Sequence, residues 1–114
     1  MNITLYTKPV PLNAKFFICR GRNILSKRYR EAKAALQLET SSQWHTEPLS
    51  TPVVVNINQY FGDKRKRDID GAIKIILDAM EGIVYNNDNQ IVEMHVTKSY
   101  DKENPRTEIE VTSK

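Results

Sequence analysis

Two aspartates and a lysine stand close together in the middle of the chain, at a spacing that could support metal-assisted chemistry. Asp68 and Asp70 are two residues apart, and Lys74 follows the second by four. Mg²⁺ prefers oxygen ligands and is often held by one or two carboxylates, with water and substrate phosphate oxygens completing its octahedron. A neighbouring lysine could place positive charge where the transition state of phosphodiester hydrolysis gains negative charge. Asp88 could add a third carboxylate only if the chain returns beside these residues.

The same residues also have an explanation that needs no metal. An aspartate is a good helix N-cap, and a second one near a helix start complements the helix dipole. Lys74 lies four residues after Asp70 and four before Asp78, so an ordinary solvated ion pair worth about 0.2–0.5 kcal/mol could form on a helix. Residue types and spacing alone leave both explanations open.

Basic residues are concentrated in two segments, which indicates an anionic partner. Segment 15–33 has seven cations against one acid, and segment 64–67 reads Lys-Arg-Lys-Arg. Lysine and arginine hold a nucleic-acid backbone through phosphate contacts, although an ordinary solvated surface is the alternative. The residues predicted to bind nucleic acid are Arg20, Arg22, Lys27, Arg28, Arg30, Lys64, Arg65, Lys66 and Arg67.

Length and composition predict one small globular domain covering residues 1–114. Charged residues make up 27% of the chain, hydrophobic residues make up 39%, and the net charge is +3. These values are typical of globular rather than disordered chains. No apolar run reaches the ~18 residues that a membrane span needs, and we expect no secretory signal. The single cysteine, Cys19, excludes an intramolecular disulfide and fits a reducing cytoplasm.

The N-terminal half is predicted to contain three strands and one helix. A tight turn at Gly21 would join the second and third strands, and Ser26 is the expected N-cap of the helix. Segment 39–52 is polar and is expected to be a loop in which Trp44 packs onto the domain. The predicted elements are a strand over 2–7, two short strands within 15–25 and a helix over 27–38.

The C-terminal half has stronger periodicity. Alternating residues predict strands, and apolar residues at i, i+4, i+7, i+8 and i+11 predict an amphipathic helix that ends before Gly82. On that helix Asp70, Lys74 and Asp78 would share the polar face, while Asp88 would lie in the following turn. Two helices and five or six strands predict an α+β fold with a small mixed or antiparallel sheet. The predicted elements are strands over 53–61, 91–100 and 106–112 and a helix over 69–80.

The segments RKRDIDGAIKIILDAM and NNDNQIVEMHVTK together resemble the RusA family of Holliday-junction resolvases, which are small endonucleases of bacteria and phages. The family pattern is a basic run, two aspartates separated by a hydrophobic residue, a helical lysine, and a later aspartate before glutamine and a strand. The matching residues are Arg67, Asp68, Asp70, Lys74, Asp78-Ala79-Met80, Asp88 and Gln90-Ile91. The early segments with Pro9, Pro11 and Asn13, with Gly21-Arg22 and Ser26, and with Tyr29-Arg30 are also similar to the family.

The resemblance implies an α+β homodimer that makes paired nicks in four-way DNA junctions during recombination and repair. It implies that Asp68, Asp70 and Asp88 are catalytic residues that bind Mg²⁺, with Mn²⁺ as a substitute, and that Lys74 is a catalytic lysine. It also implies that the basic residues contact DNA and that the protein works in the cytoplasm of a bacterial or phage-infected cell. One departure is Gly71, expected in the first helical turn, where the family usually has asparagine.

Two other functions are compatible with these residues. A protein with the same fold could bind nucleic acid, or assist an assembly, without cleaving it. A metal nuclease with the same carboxylates could act on flaps or replication forks rather than on junctions. Cleavage of defined DNA structures in the presence of Mg²⁺ separates these alternatives.

Overall fold

The computed structural model describes residues 2–11, 16–19 and 22–114, and only the backbone at 16–19 and 22–25. This part of the chain contains six strands and two α-helices, as predicted, and a short 3₁₀ turn over Asp88–Gln90. The predicted turn at Gly21 lies outside the described residues. The elements are β1 (Asn2–Leu5), β2 (Phe16–Cys19), β3 (Arg22–Leu25), α1 (Lys27–Gln43), β4 (Val53–Phe61), α2 (Ile73–Met80), β5 (Ile91–Tyr100) and β6 (Arg106–Ser113).

The main sheet has four strands in the order β1-β6-β4-β5. Strand β6 is antiparallel to both β1 and β4, whereas β4 and β5 are parallel, so the sheet is mixed, as predicted. Strands β2 and β3 form a separate antiparallel pair. The architecture is therefore α+β.

Helix α2 is the crossover that joins the parallel strands β4 and β5. Parallel strands need such a connection because the chain must return to the same end of the sheet before the second strand begins. Val53 at the start of β4 pairs with Ile91 at the start of β5, and Phe61 pairs with Tyr100 at the other end. The loop before α2 and the turn after it carry the candidate aspartates, so one crossover positions them all.

The core is built from the buried face of β4 and from both helices. Val53, Val55 and Ile57 alternate along β4 and have no exposed surface. Ile76 of α2 and Leu36 of α1 are equally buried in the same cluster. Burial of each such side chain stabilises the fold by about 1.5–3 kcal/mol, so this cluster fixes both helices against the sheet.

Helix α2 begins later than the apolar pattern predicts. Its first residue is Ile73, and its N-cap, Ala72, makes no side-chain capping hydrogen bond. The explanation of Asp68 or Asp70 as a helix cap is therefore wrong, and Gly71 precedes the helix. The backbone amide of Gly71 donates to the Asp68 carbonyl at 3.1 Å, and that of Ile73 donates to the Asp70 carbonyl at 3.2 Å. These tight turns occupy the segment that was predicted as the first helical turn.

Helix α1 is longer than predicted because side chains of its last turns form hydrogen bonds with the backbone at the edge strand β1. Ser26 caps the helix as expected, but residues 39–43 are helical rather than a loop. Gln43 accepts a hydrogen bond from the Thr4 amide and donates one to the Thr4 carbonyl, both at 2.8 Å. Glu39 accepts the amides of the two residues that follow β1. Side chains of α1 therefore satisfy backbone groups that an edge strand leaves unpaired.

Two further expectations concern Gly82 and Trp44. Gly82 has a φ of +84°, the left-handed conformation that ends helices, and lies directly after the C-cap Glu81 as predicted. Trp44 is buried, as expected for a side chain that packs the following loop onto the domain. Within the described ranges, no helix is long and apolar enough to cross a membrane.

Candidate active site

A cleft of about 980 Å³ beside the end of β4 contains the two neighbouring aspartates. Asp68 and Asp70 are both exposed. Six cations line the cleft with them: Arg65, Lys66 and Arg67 from the basic run, Arg28 from α1, and also Lys8 and Arg106. Carboxylates beside cations can hold a divalent ion and a polyanion at the same place.

The loop that presents the two aspartates is fixed by side chains from the sheet. Gln59 of β4 donates a hydrogen bond from Nε2 to the Ile69 carbonyl at 3.1 Å, and Lys98 of β5 donates from Nζ to the Arg67 carbonyl. Gln59 is only 2% exposed. Neither residue was predicted from the sequence as part of the site. The available signal was a polar residue, Gln59, continuing the apolar alternation of Val53, Val55 and Ile57.

Arg67 makes an internal ion pair, although it was predicted as a DNA contact. Its two terminal nitrogens donate to the two carboxylate oxygens of Asp63 at 2.8 and 3.1 Å. Its guanidinium carbon lies 4.4 Å from the centre of the Phe61 ring, and its side chain is 21% exposed. Hydrogen bonds from Arg67 and from the Arg65 amide hold the pKa of Asp63 well below its usual range. The DNA-binding role of Arg67 stays a prediction.

The other members of the basic run are more exposed. The Lys64 ammonium lies 5.0 Å from the centre of the Tyr100 ring. Arg65 approaches Asp63 at 3.6 Å but keeps 72% of its side-chain surface exposed. Lys66 is also exposed and lines the cleft. Arg65 and Lys66 are therefore accessible to a phosphate backbone.

The residues of α1 that are predicted to contact DNA lie in the first turn of the helix, and their side chains are exposed. Lys27 forms a long i, i+4 pair with Glu31 at 3.8 Å, and both side chains are exposed. Arg28 and Arg30 are exposed as well, and Arg28 lines the cleft. Two other predicted contacts lie outside the described side chains, namely Arg20 and Arg22.

Lys74 and Asp88 meet beside α2. The Lys74 ammonium lies 3.0 Å from Asp78 Oδ1 and 3.5 Å from Asp88 Oδ2. The turn before β5 therefore returns Asp88 to the side of α2. The hydrogen bond with Asp78, aided by the negative charges of both aspartates, raises the pKa of Lys74 against the opposing effect of desolvation. Lys74 is therefore cationic at neutral pH.

Among the described residues, the three predicted metal ligands do not form one compact carboxylate group. In the described part of the chain, the group of three carboxylates whose oxygens lie within 4.8 Å of one another is Asp78, Glu81 and Asp88. It includes neither Asp68 nor Asp70, which line the cleft. The joint role of Asp68, Asp70 and Asp88 as metal ligands stays a prediction.

The turn that carries Asp88 is held by its neighbours. The Asn87 side chain accepts the Asn89 amide at 3.0 Å, and Gln90 Oε1 accepts the Asn87 amide at 2.8 Å. Gln90 Nε2 donates to the carbonyls of Leu49 and Thr51 at 2.8 and 2.9 Å. The glutamine two residues after Asp88 thus anchors the turn, which gives the Asp-x-Gln pattern a structural reason.

Tyr29 and Asp78 are site residues to which the sequence assigned no catalytic or binding role. The Tyr29 hydroxyl donates to Asp78 Oδ2 at 2.7 Å, and Tyr29 is 1% exposed. Burial, together with Asp78, raises the pKa of Tyr29 above its usual value, so the hydroxyl remains a donor. Asp78 had a weak signal in its i+4 distance from Lys74, whereas Tyr29 is 49 residues from its partner.

Comparison with known proteins agrees with the sequence resemblance. The family model described as Endodeoxyribonuclease RusA matches residues 7–112. A curated relative, the crossover junction endodeoxyribonuclease RusA of Aquifex aeolicus (strain VF5), is 30% identical over 96 residues. The match covers 82% of this chain and 76% of the relative. The chain therefore belongs to the RusA endodeoxyribonuclease family.

Proposed function

We propose that this protein is a structure-selective endonuclease that resolves Holliday junctions by paired, symmetric nicks during DNA recombination and repair. The main observation behind this proposal is the cleft in which two exposed aspartates on a fixed loop lie among cations. Membership of the RusA family supports DNA as the substrate. The cytoplasm of a bacterial or phage-infected cell is the matching location.

Asp68 and Asp70 have the donor chemistry that Mg²⁺ requires. Both present exposed carboxylate oxygens, and one or two such ligands leave room for water and phosphate oxygens. We assign these residues and Asp88 to the metal, with Mn²⁺ as a possible substitute. When bound, the ion would lower the pKa of water and offset negative charge at phosphorus.

The remaining roles follow from charge and exposure. Arg28, Arg65 and Lys66 are exposed cations of the cleft that would contact phosphates without reading base sequence. Lys74 is a cation at neutral pH and would stabilise negative charge that develops during cleavage. These contacts hold and orient the strand to be cut.

We further propose that the working form is a homodimer. A four-way junction offers two equivalent strands for cleavage, and a two-fold symmetric protein presents the same site to each. Two copies acting on one junction would produce the paired nicks that resolution requires. Sedimentation of the protein with and without a junction measures this stoichiometry.

Cleavage of a synthetic four-way junction tests the proposed function. We expect wild type to nick opposite strands in Mg²⁺, and Asp70→Asn to lose activity by about 100-fold or more while still binding the junction. Exposed Glu103 gives a matched control, because Glu103→Gln removes one negative charge outside the cleft lining. Flaps and forks are assayed in parallel, and faster cleavage of either would assign a different substrate.

One result would overturn the enzymatic role. If wild type does not nick any of these structures and Asp70→Asn binds them like wild type, the protein is a non-catalytic DNA-binding member of the family. If binding is retained while nicking disappears in Asp70→Asn, the carboxylate acts in catalysis.

A further inference from the structure

A chain of hydrogen bonds joins helix α1 to the ammonium of Lys74. Asp78 is the middle member of this series of hydrogen bonds, and its two carboxylate oxygens have different partners. Oδ2 accepts the hydroxyl of Tyr29 at 2.7 Å, and Oδ1 lies 3.0 Å from Lys74 Nζ. The Asp78 side chain is 12% exposed, whereas that of Lys74 is 42% exposed. A shielded carboxylate therefore connects a buried tyrosine to a solvent-accessible cation.

The tyrosine hydroxyl is a fixed partner that helps to orient the carboxylate. The terminal torsion of an aspartate is broad, so a carboxylate without a fixed partner samples many orientations. A hydroxyl bonded to Oδ2 restricts that torsion and turns Oδ1 toward Lys74. Lysine itself has a long flexible side chain that loses much conformational freedom when it is held in one place. Fixing its partner is therefore an effective way to fix its ammonium.

Tyr29 is itself held in a fixed position, so its hydroxyl can orient the Asp78 carboxylate. It lies in the first turn of α1, and its backbone amide donates to the N-cap hydroxyl of Ser26 at 3.1 Å. Its ring is buried in the core cluster with Ile76 of α2. The hydroxyl thus has a defined position relative to both helices.

We propose that Asp78 and Tyr29 are positioning residues that hold the Lys74 ammonium in the orientation required for phosphodiester cleavage. The inference rests on the proposed function, in which Lys74 stabilises developing charge. It assigns Asp78 a role other than metal binding, although Asp78 belongs to the carboxylate group with Glu81 and Asp88. Small displacements of a catalytic group cost large factors in rate, which makes such positioning valuable.

The test deletes one hydroxyl at a time. Tyr29→Phe removes the bond to Asp78, and Tyr85→Phe is the matched control, because Tyr85 is also buried but donates to the Leu77 carbonyl at 2.7 Å. We expect Tyr29→Phe and Asp78→Asn to lower the single-turnover nicking rate by about 10–100-fold without weakening junction binding. Tyr85→Phe keeps the wild-type rate.

Two further measurements separate positioning from a general structural effect. In a Lys74→Met background, assayed with enzyme in excess, Tyr29→Phe causes no further loss of rate, because the group that it positions is absent. By NMR relaxation of ¹³Cε, the Lys74 side chain becomes more mobile in Tyr29→Phe and not in Tyr85→Phe. Lys98, which donates to Arg67, is the internal reference and stays unchanged.

The outcomes are distinguishable. The inference is overturned if Tyr29→Phe nicks like Tyr85→Phe, if its loss persists in full without Lys74, or if Lys74 mobility does not change. If wild type does not nick, the proposed function fails, and the relaxation of Lys74 alone decides whether Tyr29 and Asp78 hold its ammonium. Increased mobility in both Tyr29→Phe and Asp78→Asn then supports the positioning.

Discussion

Neighbouring cations in the basic run have different surroundings in this fold. Arg67 forms two hydrogen bonds with Asp63 and lies over Phe61, whereas Arg65 and Lys66 remain exposed beside the cleft. Exposed ion pairs contribute little individually, but a forked arginine–carboxylate pair has defined geometry. Arg67 therefore helps to hold the loop that carries the aspartates, and its two neighbours are better placed to contact DNA.

The Asp63–Arg67 pair predicts how stability depends on pH. The pKa of Asp63 is lower in the folded protein than its unfolded value of about 3.9, so its contribution to stability is present above that value and is lost as the pH falls toward the folded pKa. When the pH is lowered from about 7 to about 2.5, we expect the Tm of Asp63→Asn to fall less than the Tm of wild type. Thermal denaturation checks this, with Glu47→Gln as an exposed control. Equal losses in Asp63→Asn and wild type would contradict it.

At the residue scale, the sequence identified chemical groups better than it identified their partners. Asp68, Asp70, Lys74 and Asp88 follow from residue type, spacing and family resemblance. Tyr29, 49 residues from Asp78, could not be predicted because no local pattern reports a contact between helices. Local spacing determines which side chains share a face, whereas tertiary packing determines which of them meet.

Local geometry also shows what the glycine at position 71, where the family usually has asparagine, means for the structure. Gly71 does not have a positive φ, and a Cβ there would lie 3.3 Å from the Asp68 carbonyl oxygen. The asparagine that is usual in the family would need only a small shift of this turn. Gly71 lies before α2, so its low helix propensity costs the helix nothing.

At the element scale, strands were predicted more accurately than helix ends. The bounds of β4 and β5 agree with the alternation in the sequence. The last turn of α1 was missed because its sequence, ETSSQ, has weak helix propensity and side chains that compete for backbone hydrogen bonds. Its helical form depends on contacts with β1, which are too distant in sequence to read from a window.

The Gln43–Thr4 contact predicts a stability effect at this junction of elements. Gln43→Ala removes two hydrogen bonds to the backbone of β1, so we expect the free energy of unfolding to fall by about 1–3 kcal/mol. Ser41→Ala is the control in the same helical turn, because the exposed Ser41 hydroxyl bonds only locally, to the Leu38 carbonyl, and its loss should cost at most about 0.5 kcal/mol. Urea denaturation measures both variants. If both variants lost a similar free energy of unfolding, the contact between Gln43 and β1 would not contribute specifically to stability.

At the scale of the whole molecule, one crossover organises the site. The loop that leaves β4 presents Asp68 and Asp70 to the cleft, and the turn that enters β5 brings Asp88 to Lys74 on the intervening helix. Helix α1 adds Arg28 to the cleft. The sequence predicted this order of elements, but not that Asp88 would join Asp78 and Glu81 in a group of carboxylates that includes neither Asp68 nor Asp70.

The distribution of exposed cations predicts the salt dependence of junction binding. Each phosphate contact that is lost should reduce the slope of log K against log salt by about one. We expect this reduction for Arg28→Ala, Arg65→Ala and Lys66→Ala, because these side chains are exposed in the cleft. Arg67→Ala should instead lower Tm and change the slope less, because its guanidinium is already paired with Asp63. Junction-binding titrations of these variants at several salt concentrations measure the slopes, with exposed Lys102→Ala as the control. If only Arg67→Ala changed the slope by about one, Arg67 would be the phosphate contact and the three exposed cations would not be.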